Sequence, residues 1–141
     1  MTKEQIRATK PGRELDAWIA EKVLGKKVAW VESPEAANRE WLAKGAPYTV
    51  DELHMIWALP GYSTEIAAAW ELVEAAAKEG HTVAVDYSNV TNRWAAYVSG
   101  SRQACQGHYV VGDGGYAEAT TAPEAICKAA LLAAMSKEGT G

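Results

Sequence analysis

The sequence predicts an α+β fold in which helices pack on both faces of a small antiparallel sheet, an α-β-α sandwich. Apolar residues recur at helical spacing in several segments, and three strand-like segments follow one another closely. The links between those strands are too short for parallel crossovers. The chain has 141 residues, 48% of them hydrophobic, which suits a single domain over 1–141 with one core.

Residues 13–24 form the first predicted helix, and Gly25 after them is a typical C-cap. A short apolar run at 28–31 is a candidate strand. Residues 33–60 are the least regular part. Within them we predict a short helix from Ser33 to Lys44 and a helical turn opening at 49–52.

The strongest predicted helix runs over 63–78, with Ser63 as N-cap and Gly80 as the stop. Its apolar stripe, predicted to face the core, is Ile66, Trp70, Val73 and Ala77. Strands are predicted at 82–87, 93–99 and 107–112, joined by turns into a meander.

The last predicted helix covers 122–135, and Thr121 with Glu124 fits a capping box. Residues 136–141 are predicted to form a frayed tail. The chain contains 27 Ala, 6 Trp and no Phe. We expect Trp18, Trp70 and Trp94 to be core residues, and Trp30, Trp41 and Trp57 to be exposed or at an interface.

Charge and composition exclude several protein classes. A net charge of −4 without a basic face argues against binding to duplex nucleic acid. No apolar run is long enough to span a membrane, and the charged N-terminus is unlike a signal peptide, so a cytoplasmic location is expected. The three His and two Cys, Cys105 and Cys127, are too scattered for a metal site, and we expect no cofactor.

Two turns that lead into helix N-termini, 59–64 and 112–121, are candidate anion sites. Their backbone N–H groups are unpaired, their glycines allow close approach, and their hydroxyls add donors. Alternatively, Ser63 and Thr121 simply cap their own helices. The ligand-binding candidates here are Tyr62, Ser63, Thr64, Thr120 and Thr121.

The predicted hairpin at 89–94 supplies further candidates. The Arg93 guanidinium suits phosphate, Asn92 suits a base edge or ribose hydroxyl, and Trp94 suits base stacking. Arg102 is a second candidate cation. The alternative is that Asn92 is a turn former and both arginines are solvated.

An enzyme is not expected. The sequence contains the residue types of a hydrolase triad in Ser63, His108 and Asp113. No G-x-S-x-G elbow surrounds the serine, so we do not expect these residues to form one. Nucleotide-binding motifs of the Walker and G-x-G-x-x-G types are absent from the sequence.

Three segments resemble motifs of the phage ABA sandwich domain family. They are the opening segment 11–16, the central segment 59–74 (Leu59-Pro60-Gly61-Tyr62-Ser63-Thr64) and the C-terminal segment 121–131 (Thr121-Ala122-Pro123-Glu124). Two departures stand out. Residues 33–58 resemble an insertion, and Ala119-Thr120 stands where the family commonly has Asp.

The resemblance implies a phage origin and helices sandwiching a small antiparallel sheet. Some phage proteins similar in size and layout are anti-defence sponges, which hold a cyclic nucleotide immune signal without cleaving it. Such signals include a cyclic ADP-ribose isomer of Thoeris defence and cyclic oligonucleotides. We therefore expect a homo-oligomeric sponge in the cytoplasm of the infected host. The alternative is a phage accessory module that binds proteins and has no small ligand.

Overall fold

A computed structural model describes residues 2–30, 46–50, 56–99, 102–105, 108–111 and 114–139, without side-chain detail at 56, 102–111 and 136–139. It confirms the α+β class. The helices are α1 (Lys3–Ala8), α2 (Arg13–Trp18), α3 (Ile66–Lys78) and α4 (Ala122–Gly139). The strands are β1 (Val28–Trp30), β2 (Pro47–Val50), β3 (Ile56–Ala58), β4 (Val83–Ser88), β5 (Arg93–Val98), β6 (Arg102–Cys105), β7 (His108–Val111) and β8 (Gly115–Ala119). The predicted helix at 33–44, with Trp41, lies outside the described residues.

Helix α1 was not predicted, because its one large apolar side chain, Ile6, gives no periodicity. A capping box begins it: the Thr2 hydroxyl accepts from the Gln5 N–H at 3.1 Å, and the Gln5 side chain accepts from the Thr2 N–H at 2.7 Å. Ile6 is fully buried and ties this short helix to the core.

The predicted helix at 13–24 is confirmed, with a change of winding at its end. Helix α2 continues directly into a π-helical turn, Ile19–Val23, in which the Leu24 N–H donates to the Ile19 carbonyl. Gly25 follows with φ +67°, the left-handed conformation expected after a helix C-cap.

The first sheet has the order β1-β2-β3, with both pairs antiparallel. The predicted strand at 28–31 is found as β1. The predicted helical turn at 49–52 is wrong for Thr49 and Val50, which lie in β2. Strand neighbours on both sides of β2 supply cross-strand hydrogen bonds that outweigh the weak local helix signal.

Helix α3 confirms the central predicted helix but begins at Ile66, with Glu65 as N-cap. The prediction of Ser63 as N-cap is therefore wrong. At the other end, Gly80 (φ +88°) donates to the Ala77 carbonyl and His81 donates to the Ala76 carbonyl, both at 3.0 Å. This pair of bonds is a Schellman motif, and it confirms Gly80 as the stop.

The second sheet, here called the central sheet, has the antiparallel order β4-β5-β8. The predicted strands at 82–87 and 93–99 are confirmed as β4 and β5. The prediction that 107–112 completes the meander is wrong, because β7 pairs with β6 in a separate hairpin. Gly115–Ala119, predicted as part of a loop, is the third strand instead.

Helix α4 packs on the central sheet, against β5 and β8, and α3 and the π-helical turn pack on α4. Small residues line the contact: Ala96, Ala117 and Ala119 are buried on the sheet, and Ala125 and Ala129 on the helix. The opposite face of the sheet carries exposed Tyr97 and Tyr116, which are register partners on β5 and β8.

Candidate functional site

A cleft of about 500 Å³, here called the apolar cleft, opens between the start of α3, the central sheet and the first turn of α4. Its size is within the usual range for small-molecule sites. Most of its lining is apolar, and two indoles face it. The side chains that characterise it are Ile66, Trp70, Val85, Trp94, Thr120 and Thr121.

Helix α3 presents its largest apolar side chains to this cleft. Ile66 and Trp70 are 54% and 52% exposed, so the prediction that they are core residues is wrong. Ala68, Ala69 and Leu72 are buried in their place. Two small alanines let α3 approach α4 closely, and this orientation leaves the bulky side chains of the predicted stripe outside.

The floor of the cleft comes from the sheet. Val85 on β4 and Trp94 on β5 are partly buried and packed against the core. The Trp94 ring also lies 5.1 Å from the Tyr87 ring, with an angle of 53° between the planes. The indole that sequence analysis selected for stacking is thus held on one side and open to the cleft on the other.

The N-terminus of α4 forms the polar rim of the cleft. The Thr121 hydroxyl accepts from the Glu124 N–H at 3.4 Å, which confirms Thr121 as the cap of this helix. The Glu124 carboxylate pairs with Lys128 at 2.7 Å. Thr120 is exposed beside it. Two of the predicted ligand residues, Thr120 and Thr121, therefore border the cleft.

Tyr62 and Ser63 lie elsewhere, in the core, and neither is exposed. The Ser63 N–H and hydroxyl donate to Asp16 Oδ1 at 2.8 Å and 2.7 Å, and the Ser63 Oγ accepts from the Gly12 N–H at 2.9 Å. These bonds join the turn before α3 to the start of α2. Both side chains therefore lie in the core and not in the apolar cleft. Thr64 is exposed but does not line the cleft.

Burial dominates the electrostatics of this buried cluster. It raises the pKa of Asp16 above 3.8, an effect that the two hydrogen bonds from Ser63 oppose and the charge of Glu65 reinforces. Burial also raises the pKa of Tyr62 to about 12, with Glu71 and Asp16 adding to the shift. Asp16 and Tyr62 are therefore core residues. Sequence analysis missed the contact between Asp16 and Ser63 because these two residues are 47 positions apart.

The predicted polar hairpin is formed, and of its three candidates only Trp94 lines the cleft, whereas Asn92 and Arg93 do not. Asn92 has φ +55° in the turn, and its Oδ1 accepts from the Tyr87 hydroxyl at 3.2 Å. Arg93 donates from Nη2 to the Glu118 carbonyl at 3.3 Å. Arg102 lies in β6, and its side chain is outside the described residues.

Ser63 has no access to solvent, so it cannot act as the exposed nucleophile of the triad. Asp113 and the His108 side chain lie outside the described residues. No group of His, Cys, Asp or Glu side chains within the described ranges is arranged to hold a metal ion. None of the described helices combines the length and the apolarity needed to cross a membrane.

The family model of the phage ABA sandwich domain matches residues 17–131. The chain belongs to this family. The ABA sandwich chain is also similar to a solved structure, a phage protein from Bacillus cereus ATCC 14579, with a TM-score of 0.58 and 24% identity over 89% of this chain and 93% of that chain. That likeness concerns the fold. A search of curated proteins gives no match.

The structure shows what the three motifs of the ABA sandwich chain contribute. Gly12 and Asp16 of the opening segment bind Ser63 of the central segment. The C-terminal segment supplies the buried face of α4, including Ile126 and Cys127. The motifs thus meet mainly in the core, whereas the cleft combines the edges of two of them with the strands between.

Proposed function

We propose that this ABA sandwich protein is a phage anti-defence protein that binds a cyclic nucleotide immune signal in the apolar cleft and holds it without cleavage. The observation that supports this proposal is that one cleft is lined by Trp70, Trp94 and the N-terminus of an 18-residue helix. A nucleotide offers the same combination, a flat apolar base and an anionic phosphate.

The chemistry of the cleft supports this assignment. An indole offers a stacking surface worth about 1–3 kcal/mol per base. The Thr120 hydroxyl and the Ala122 N–H suit a phosphate, because the helix dipole places partial positive charge at this end of α4. Pro123 has no N–H, and the Glu124 N–H is donated to the Thr121 hydroxyl. Glu124, in the same turn, is paired with Lys128, so its negative charge is compensated.

The absence of hydrolysis is part of the proposal. Among the residues that the structure describes, the cleft lining includes no His, Cys, Asp or Glu side chain that would serve as a general base or nucleophile. The family and the phage neighbour support a role in the cytoplasm of an infected host. Cyclic ADP-ribose isomers and cyclic oligonucleotides are the two signal classes proposed.

A thermal-shift screen tests the proposal. At a thousandfold excess over Kd, a ligand stabilises the native state by about 4 kcal/mol. We expect a raised Tm with a cyclic nucleotide, and intact ligand by mass spectrometry after heat release. Trp70→Ala should weaken binding about tenfold or more. Trp30→Ala is the matched control, since Trp30 is 44% exposed outside the cleft. Cleaved ligand would instead indicate an enzyme.

A second candidate, a protein-binding accessory module, is favoured by a different observation. Tyr97 and Tyr116 form an exposed aromatic pair on the face of the central sheet opposite α4. This face also supports the proposed homo-oligomer. This second candidate would be favoured over the sponge by two results together. The Tm would not change with any cyclic nucleotide, and the molar mass measured by light scattering would change in Tyr97→Glu.

A further inference from the structure

A second cavity, here called the cationic cavity, lies at the β8 edge of the central sheet, beside α1 and α4. Its volume is about 340 Å³. Of the six described residues that line it, three are cations, whereas no described cation lines the apolar cleft. The lining is Arg7, Arg93, Tyr116, Ala117, Glu118 and Lys128. Such a concentration of positive charge is unexpected in a chain of net charge −4.

Lys128 is the fixed part of this cavity. Only 5% of the residue is exposed, and its ammonium donates to the Arg7 carbonyl at 2.9 Å and to Glu124 Oε2 at 2.7 Å. An ammonium has three donors, so one remains beyond these two bonds. The bond to Arg7 also holds α1 against α4, which places the Arg7 side chain at the cavity.

The two guanidinium groups are not neutralised. In the described part of the chain, neither Arg7 nor Arg93 is in an ion pair. Arg93 donates to the carbonyl of Glu118, and the Glu118 carboxylate accepts instead from the Tyr116 hydroxyl at 2.7 Å. With Lys128 balanced by Glu124, the two arginines exceed the single carboxylate of the lining by one positive charge.

We propose that the cationic cavity binds a phosphate group, either the free ion or the terminal phosphate of a nucleotide. Two guanidinium forks match tetrahedral oxyanions, and a phosphate brings enough acceptor oxygens for both forks and the ammonium at once. A carboxylate has only two oxygens and one charge, so it satisfies this donor set less well. The proposal does not depend on the apolar cleft.

Isothermal titration calorimetry of the full chain in phosphate-free buffer tests the proposal. The probes are inorganic phosphate, adenosine 5′-monophosphate and acetate. We expect one phosphate per chain and clearly weaker binding of acetate. Arg7→Gln and Arg93→Gln should each weaken phosphate binding about tenfold or more, because each removes charge-assisted hydrogen bonds.

Arg13→Gln is the matched control, since Arg13 is an exposed arginine outside the cavity and should not affect binding. Tighter binding of the nucleotide than of the free ion, kept in Trp70→Ala and lost in the Arg7 and Arg93 variants, would identify the nucleotide as the source of the phosphate. The proposal is overturned if the wild type shows no heat with millimolar phosphate, if acetate binds equally well, or if both cavity variants bind like the wild type. Trp70→Ala should leave phosphate binding intact, which separates this result from that of the sponge.

Discussion

Replacing Asp16 with alanine removes the acceptor of two buried hydrogen bonds from Ser63, at 2.8 Å and 2.7 Å. Each donor left unpaired in the interior costs about 1–3 kcal/mol. The alanine variant no longer has to desolvate a carboxylate, which offsets part of this loss of stability. We therefore expect Asp16→Ala to lower the free energy of unfolding by about 2–4 kcal/mol. Asp16→Asn keeps an acceptor oxygen and should lose about 1 kcal/mol or less.

The pH dependence of stability separates the effect of burying the Asp16 carboxyl from the effect of its hydrogen bonds. Burial raises the pKa of Asp16 in the folded protein above 3.8, so the native state binds its proton more tightly than the unfolded chain. The contribution of Asp16 to stability therefore falls as pH rises from 3.8 through the folded pKa. Asn does not titrate, so the stability of Asp16→Asn relative to wild type should rise across that window.

Urea denaturation followed by tryptophan fluorescence measures both effects. Glu14→Ala is the matched control, because Glu14 is an exposed acidic residue on the same helix and its loss should change stability by less than about 0.5 kcal/mol. The reasoning is refuted if Asp16→Asn is as destabilising as Asp16→Ala, or if the Glu14 variant is as destabilising as either.

Three other predictions concern the packing and capping of α4. A Cβ built at Gly115 clashes with the Ala129 carbonyl and lies 2.5 Å from the Ala133 nitrogen. Gly115→Ala should therefore lower the free energy of unfolding, measured by urea denaturation, by about 3 kcal/mol. Burial raises the pKa of the Cys127 thiol, so in Cys105→Ser a thiol reagent should react only as fast as the protein unfolds. Thr121→Ala should lower the free energy of unfolding by about 1 kcal/mol through loss of the cap, whereas Thr120→Ala should leave it nearly unchanged by the same assay.

The long elements were predictable because their signals are local. Periodic apolar residues and a terminal glycine identified α3, and alternation identified β4 and β5. Strand β8 was missed although it also alternates, since its buried positions are Gly115, Ala117 and Ala119 and its exposed ones include Tyr116. A prediction that places the larger side chains in the core would bury the wrong face of this strand. Small residues face inward here because a helix packs closely against them.

The site was predictable only in part. Thr121 follows a local capping rule and is confirmed as a cap, and Trp94 lies on a confirmed strand, while the ligand-binding role of both stays a prediction. Ser63 satisfies the same local rule as Thr121 and yet faces Asp16, a partner that no short-range pattern reveals. Trp70 was misplaced because which side of α3 is buried depends on how closely α4 approaches, and that distance is a tertiary property.

The separate β6–β7 hairpin has a consequence for how the chain can be altered. Val98 and Gly115 are directly opposed in the register of β5 and β8, and Ser99 still bonds to Thr82 beside β4. Residues 100–114 therefore connect two neighbouring points of the central sheet. In topological terms this segment is a long hairpin tip. Exchanging this segment for a short turn or an affinity tag should therefore leave the register of β5 and β8 unchanged, as long as the buried Ser99, which is bonded to Thr82, is kept.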